Sequence, residues 1–429
     1  MEKRTLYGIL YFISEYFIFY YPLVMSLVWI QGAVYYFMRR EVDTNYRKLP
    51  KDGYFPMVSI LIPAHNEEKA IAETLQAALR SVYPHFEIIV IDDASTDKTW
   101  EIINEYVAAD ERIRALHLEE NTGKAAGLNA ALFASKGEII VTIDADAFLD
   151  PNALYWLVQH FKGPRVGAVT GNPRVRNRTN LLAKIQVGEF SSIIGMIKRS
   201  QRILGKVLTV SGVIAAFRKQ ALFDVGMWDS DMATDDINVT WKLEKRFWDI
   251  RYEPNAVCWI LVPDSLKGLF KQRVRWAQGG TEVLLRHLDV WKSWKQRRLW
   301  PVYLEYVVSI FWSYCFIILS IFWLINYFFH TNLPYVNFIP EYKGAFLVVI
   351  CMLQFATALI IDTRYERGMF LQLFWVIWYP FVYWIFTALA AVWAVPKAFQ
   401  RKKGRFAVWV SPDRGRKHPE EKKGPTATT

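Results

Sequence analysis

The sequence predicts an α/β fold in which a mostly parallel sheet is embedded between transmembrane helices. Three observations carry that reading. Long apolar runs occupy the two ends of the chain and spare its middle. Between them, β-branched blocks alternate with helix-forming blocks, the order expected of βαβ units. Two of those β-branched blocks end in clustered aspartates, at the strand ends where α/β sheets bind ligands.

Composition narrows the class. A chain of 429 residues has room for a soluble domain and membrane elements. Lys+Arg outnumber Asp+Glu by 52 to 41, for a formal net charge of +11. Such an excess suits nucleic acid, anionic lipid or an anionic substrate. The hydrophobic fraction of 53% and the 18 tryptophans argue against a nucleic-acid arm. They suit basic residues flanking membrane spans. Cys258, Cys315 and Cys351 have no paired spacing, so neither a disulfide framework nor a cysteine metal site is indicated.

The first apolar block, residues 5–38, holds one span, since a bilayer needs about 20 apolar residues. It lacks a small-residue cleavage site, so a removable signal peptide is not expected. Arg39, Arg40, Arg47, Lys48 and Lys51 follow and assign that side to the cytoplasm. Three further apolar segments lie at 301–329, 344–361 and 370–395, and Arg364 and Arg367 keep the loop after the second of them inside. If the third crossed, the basic tail 397–429, which opens "KAFQRKKGRF", would lie outside against that rule. Tyr379-Pro380 near its middle predicts a re-entrant or bent segment instead.

Residues 52–270 read as the α/β domain. "MVSILIPA", "FEIIVIDDAS", "RIRALHL" and "GEIIVTIDAD" are strands; "EEKAIAETLQAAL", residues 97–109 and a segment from Thr122 are helices. Neither G-x-G-x-x-G nor G-x-x-x-x-G-K-[ST] occurs, so an ordinary dinucleotide site or P-loop is not expected.

Three acidic clusters are candidates for chemistry. Asp92 and Asp93 end one strand, as a ligand site or a simple aspartate turn. Asp144 and Asp146 end another, and carboxylates so spaced can grip Mg²⁺ or Mn²⁺ together with substrate phosphates. Thr234, Asp235 and Asp236 open a helix. One acid there would serve as a cap; two exceed that need, and a carboxylate among acids and phosphates has the raised pKa of a general base. Lys124 could pair with a phosphate or be a solvated helix lysine. The segment "FKQRVRWAQGG", residues 270–280 within an amphipathic stretch 265–298, admits two readings. It is a basic interfacial helix, or Gln272, Arg273, Arg275 and Trp276 hold something anionic and something flat.

"VSILIPAHNEE", "IDDASTD", "GKAAGLNAA", "DAD", "TDD" and "QRVRW" follow one another as in family 2 inverting glycosyltransferases, which this chain resembles. The terminal Q-x-x-R-W resembles the signature of processive members, the cellulose, chitin and hyaluronan synthases. "GAVTGNPRVRNRTNLLAKIQVGEFSSIIGMIKRSQRI", "TVSGVIAAFRK" and "WILVPDSLKGLFKQRVRWAQGG" resemble the bacterial branch that polymerises β-1,6-linked N-acetylglucosamine for biofilms. The resemblance covers residues 16–415, including "WVSPDRG" at 409–415.

That resemblance implies a nucleotide-diphospho-sugar transferase domain of the GT-A type and a UDP-N-acetylglucosamine donor. Asp93 would contact the uracil and Lys124 the uridine side. Asp144 and Asp146 would hold the nucleotide and a divalent ion, Mg²⁺ or Mn²⁺. Asp236 would be the base; Asp235 shortens the family's Thr-Glu-Asp and would face the donor. Gln272 and Arg275 would hold the diphosphate and acceptor region, and Trp276 would stack on the acceptor sugar. Arg273 is expected to be a membrane-surface charge. Further expectations are a growing glycan crossing the bilayer through residues 301–395, a small accessory membrane subunit, cyclic di-GMP regulation through a partner, and a cytoplasmic catalytic domain at the bacterial inner membrane. Trp312, Trp323, Trp375, Trp378 and Trp384 would line the path or form an interfacial belt. Competing readings are another processive β-glycan synthase, a single-addition lipid glycosyltransferase, and a non-catalytic scaffold or nucleotide receptor.

Overall fold

The computed structural model describes residues 8–9, 11–42, 49, 54–330 and 341–401. The expected strands form: β1 (Val58–Ala64), β2 (Phe86–Asp93), β3 (Ile113–Leu118) and β4 (Ile139–Ile143) pair in parallel in the order β3-β2-β1-β4. Every residue of β1, β2 and β4 is buried, which is why their central residues are mostly apolar and do not alternate with polar ones. The sheet continues as β7 (Ile214–Arg218), β6 (Val166–Val175), β8 (Asp249–Ile260) and β5 (Phe148–Leu149). β7 runs antiparallel to both β4 and β6, and β5 antiparallel to β8. The sheet is therefore mostly parallel with two reversed strands.

Helix α1 (Ile18–Tyr36) precedes the sheet. Within the domain, α2 (Ile71–Leu79), α3 (Thr99–Ala109) and α4 (Lys124–Ala134) connect the parallel strands. Gly123 precedes α4 at φ 85°, a conformation that favours glycine.

α5 (Leu181–Glu189), a π-helical stretch (Phe190–Met196) and α6 (Ile197–Leu204) follow β6; the π-helical stretch and α6 pack on α1, whereas α5 packs on the C-terminal helices. Met196 clusters with Trp29 and Ala33, and Ser200 Oγ donates to the Val28 carbonyl at 3.1 Å. Gly32 permits the approach, since a Cβ there would meet Ser200 Oγ at 2.1 Å. Helix α7 (Asp235–Lys245) carries the third acidic cluster, and α8 (Leu266–Arg286) carries Q-x-x-R-W.

Among the described residues three helices are long and apolar enough to cross a membrane: Ile18–Glu41, α9 (Trp300–Phe329) and Lys343–Asp362, the last within α10 (Glu341–Asp362). The third C-terminal segment is broken as expected. A π-helical stretch, Tyr379–Tyr383, contains Pro380 and leads into α11 (Trp384–Gln400). α11 lies along α8: Phe386 meets Phe270 at 5.5 Å between ring centroids, Ala390 and Ala394 pack on Val274, and Arg401 pairs with Glu282 at 2.8 Å. Its end thus returns to the face that carries the catalytic domain. The tail motif at 409–415 lies outside the described residues.

A buried charge cluster joins membrane helices to the sheet. Arg199 of α6 pairs with Glu41 at 2.7 Å and with Asp362 at 3.1 Å. Asp362 also accepts from Arg174 of β6, which reaches Glu366 at 3.3 Å. Both arginines are at most 3% exposed, and such charges are tolerated only when paired.

Candidate active site

The carboxyl end of β4, the start of α7 and one face of α8 enclose a cavity of about 960 Å³. Lys124, Asp144, Asp146, Asp235, Asp236, Gln272, Arg275 and Trp276 all line it. Motifs spread over some 150 residues of chain thus converge, as expected of strand-end sites.

Lys124 Nζ donates to Asp144 Oδ1 at 2.5 Å and to the Gly212 carbonyl at 3.1 Å. Burial works against its charge, but the carboxylates of Asp144, Asp235 and Asp236 outweigh it and hold its pKa above the ordinary lysine value. It is therefore a fixed cation and not a solvated helix lysine. Asp144 and Asp146 supply two carboxylates. Among the described residues no third His, Cys, Asp or Glu joins them as a metal-binding group. That donor set fits a hard divalent ion whose shell is completed by substrate phosphates and water, and not a closed protein cage.

The Thr234-Asp235-Asp236 cluster opens α7 without a side-chain capping bond from Thr234. Thr234 Oγ1 is buried with no hydrogen-bond partner, and Gly279 of α8 packs against it, where a Cβ would lie 2.4 Å from Thr234 Cγ2. Asp236 Oδ1 accepts from the Ile237 N–H at 2.9 Å. Burial, and then the charge of Asp235, push Asp236 up to about 6 against the pull of Lys124. A carboxylate poised there can accept a proton near neutral pH.

On α8, Gln272 Oε1 is buried without a partner and Arg275 is exposed, with no ion pair among the described residues. Both have unused hydrogen-bonding capacity. Arg273 corrects the expectation of a membrane-surface charge. It is buried, donates to Glu189 at 2.6 Å, and its guanidinium covers the Trp276 ring at 4.3 Å from the centroid. The cause is its helical position: Arg273 turns toward α5, and Trp276, three residues on, falls beneath it.

Asp93 is not among the cavity-lining residues. Its carboxylate accepts from the Thr122 and Gly123 N–H groups, each at 2.8 Å, and so shapes the turn that delivers Lys124. Asp92 is fully buried and accepts from His117 at 2.8 Å. Sequence reasoning missed Lys198 of α6, which also lines the cavity. It lies inside the quoted stretch "GMIKRSQRI", but nothing in its spacing separates it from the neighbouring basic residues.

Residues 59–226 match Glycosyl transferase family 2. Over 406 residues the chain is 43% identical to the poly-β-1,6-N-acetyl-D-glucosamine synthase of Staphylococcus epidermidis, covering 93% of this chain and 98% of that protein. The chain belongs to glycosyltransferase family 2. The synthase of the same name from Staphylococcus aureus (strain COL) is 42% identical over 413 residues, with 93% and 98% covered. In fold, this family 2 enzyme is similar to a solved mannosyltransferase from Pyrobaculum calidifontis in complex with GDP-Man and Mn²⁺. The TM-score is 0.55 at 21% identity, covering 88% of this chain and 99% of that one. The domain is accordingly a GT-A-like glycosyltransferase fold, and the scaffold reading falls away.

Proposed function

We propose that this family 2 enzyme transfers N-acetylglucosamine processively from UDP-N-acetylglucosamine to a growing β-1,6-linked glycan and passes that glycan across the bacterial inner membrane. The observation that carries the reading is the shared cavity: Asp144 and Asp146, Asp235 and Asp236, and the Q-x-x-R-W side chains meet there beside Glu305, Tyr306 and Ser309 of α9. The choice of sugar and linkage draws on the names of the staphylococcal relatives.

Asp236 takes the proton of the acceptor hydroxyl, whose oxygen attacks the anomeric carbon in line. The bond to UDP breaks from the opposite side, so the configuration inverts and no covalent enzyme intermediate forms. Lys124 and Arg275 meet the charge that gathers on the departing diphosphate. Asp144 and Asp146 would hold Mg²⁺ or Mn²⁺, which supplies further neutralisation of that charge when bound. Asp93 orders the uracil side, directly or through its turn, and Asp235 faces the donor. Gln272 orients diphosphate and acceptor, and Trp276 offers an aromatic surface to the acceptor sugar. The catalytic domain faces the cytoplasm. A small accessory membrane subunit and cyclic di-GMP acting through it complete the proposal.

The test uses membranes containing the full chain, with and without a candidate small subunit, and labelled UDP-N-acetylglucosamine with Mg²⁺ or Mn²⁺. Long product that a β-1,6-specific hydrolase destroys, and that Asp236→Asn does not make, is the expected result. Polymer made only from another donor would discard the sugar assignment. No transfer from any UDP-sugar would overturn the reading.

A further inference from the structure

Lys198 is 5% exposed and lines the catalytic cavity. Its Nζ donates to Thr170 Oγ1 at 3.2 Å, and among the described residues no other acceptor takes its remaining N–H groups. Thr170 Oγ1 accepts in turn from the Ser211 N–H at 2.8 Å. On the other side of the same turn, the Gly212 carbonyl accepts from Lys124, the lysine paired with Asp144. Gly212 itself faces the base, for a Cβ there would lie 3.0 Å from Asp236 Oδ2. The Ser211–Gly212 turn therefore separates two lysines, with Asp236 beside it.

Lys124 belongs to the donor side through its bond to Asp144. Lys198 lies on the other side, where Phe190, Ile193, Ile194 and Ile197 supply the apolar wall of the cavity. Sugars present C–H faces to such walls and hydroxyls to donors between them. Burial pulls the Lys198 pKa down to about 7, while the Asp236 carboxylate opposes the fall. A buried ammonium with unused donors is unfavourable until oxygen atoms reach it.

We propose that Lys198 binds the acceptor, donating from its ammonium to an oxygen of the terminal sugar of the growing glycan and so setting the attacking hydroxyl against Asp236. This inference rests on the glycosyl-transfer reading above and adds to it the residue that holds the nucleophile.

The experiment uses the full chain in detergent with UDP-N-acetylglucosamine and a short β-1,6-linked N-acetylglucosamine oligomer. It measures the acceptor KM, and separately UDP affinity and acceptor-independent hydrolysis of the donor. Lys198→Met keeps an unbranched side chain one atom shorter and removes the donors. The expected result is an acceptor KM raised about tenfold or more, the loss of one charged hydrogen bond, with UDP affinity and hydrolysis within about twofold of wild type. An unchanged acceptor KM overturns the assignment, as does UDP affinity falling in step with it. If Lys198→Met does not bind UDP at all, Lys198→Gln retains a donor for Thr170 and must still raise the acceptor KM. A wild-type protein inert toward every donor removes the function and this inference together. An active wild type with an indifferent Lys198 variant removes the inference alone.

Discussion

Arg273 donates to Glu189 across 2.6 Å and so joins the Q-x-x-R-W helix to the end of α5. The two side chains are 7% and 8% exposed. Removing either leaves the other as an unpaired buried charge. Arg275, two residues along, is exposed and has its charge free for a ligand. Neighbouring arginines of one motif thus have separate tasks.

Arg273→Gln is expected to destabilise the fold by about 3–5 kcal/mol, the usual consequence of breaking a buried pair from one side. Arg275→Gln is expected to stay within about 0.5 kcal/mol in stability while lowering kcat/KM for the donor. Thermal unfolding in detergent, set beside initial transfer rates, separates the two. Equal melting shifts would sink the division of labour.

The acid limb of the pH profile follows from Asp236. Its raised pKa means that it takes up a proton as pH falls through about 6, and a protonated carboxyl cannot serve as base. kcat/KM is therefore expected to decline as pH falls below about 6. Asp235→Asn removes a charge that raises this pKa, so the limb must move to lower pH. A limb that stays put or moves upward contradicts the assignment.

Gly279→Ala tests the seam between α7 and α8. The added methyl would meet Thr234 Cγ2 at 2.4 Å, too close without displacement. Overpacking of this kind costs about 1–3 kcal/mol, and here the displaced element carries Asp235 and Asp236. A lowered melting temperature together with a lowered kcat is expected. A variant with wild-type values for both would show that the seam yields freely.

Asp146→Asn removes one of the two carboxylates offered to the divalent ion. The Mn²⁺ concentration that half-saturates UDP binding is expected to rise about tenfold or more. Calorimetric titration of UDP at several Mn²⁺ concentrations reads this without turnover. Identical metal dependence in the variant would exclude Asp146 as a ligand.

The course of the last apolar segment can be read by labelling. His330 follows α9, and Lys397 lies near the end of α11, close to the Arg401–Glu282 pair. Cys258, Cys315 and Cys351 are buried, which keeps the background low. In sealed membranes, His330→Cys and Lys397→Cys should react from opposite sides, with Lys397→Cys matching a cysteine at Lys69 in the catalytic domain. Labelling of Lys397→Cys from the His330 side would mean that the segment crosses.

The parallel half of the sheet was legible because the centres of β1, β2 and β4 are buried on both faces and read as apolar runs. The site was legible where short acidic motifs stand at strand ends. β7 was not, since its direction depends on pairing with β4 and β6, which local sequence does not encode. Arg273 was misread because burial of a charge depends on a partner 84 residues away. Lys198 escaped for the same reason: Thr170, Ser211 and Asp236 give it meaning, and none is near it in the chain.

The cluster of Glu41, Arg174, Arg199 and Asp362 fixes more than a contact. It clamps the near ends of α1 and α10 to the sheet by charges that cannot slide along a greasy surface. Insertion depth at the catalytic face is therefore set by ion pairing and not by the apolar length of either helix. A bilayer a few ångströms thicker or thinner must be met at the free far ends, by tilt or by deformation of lipid. The reaction chamber keeps its height above the membrane while the lipid does the adjusting.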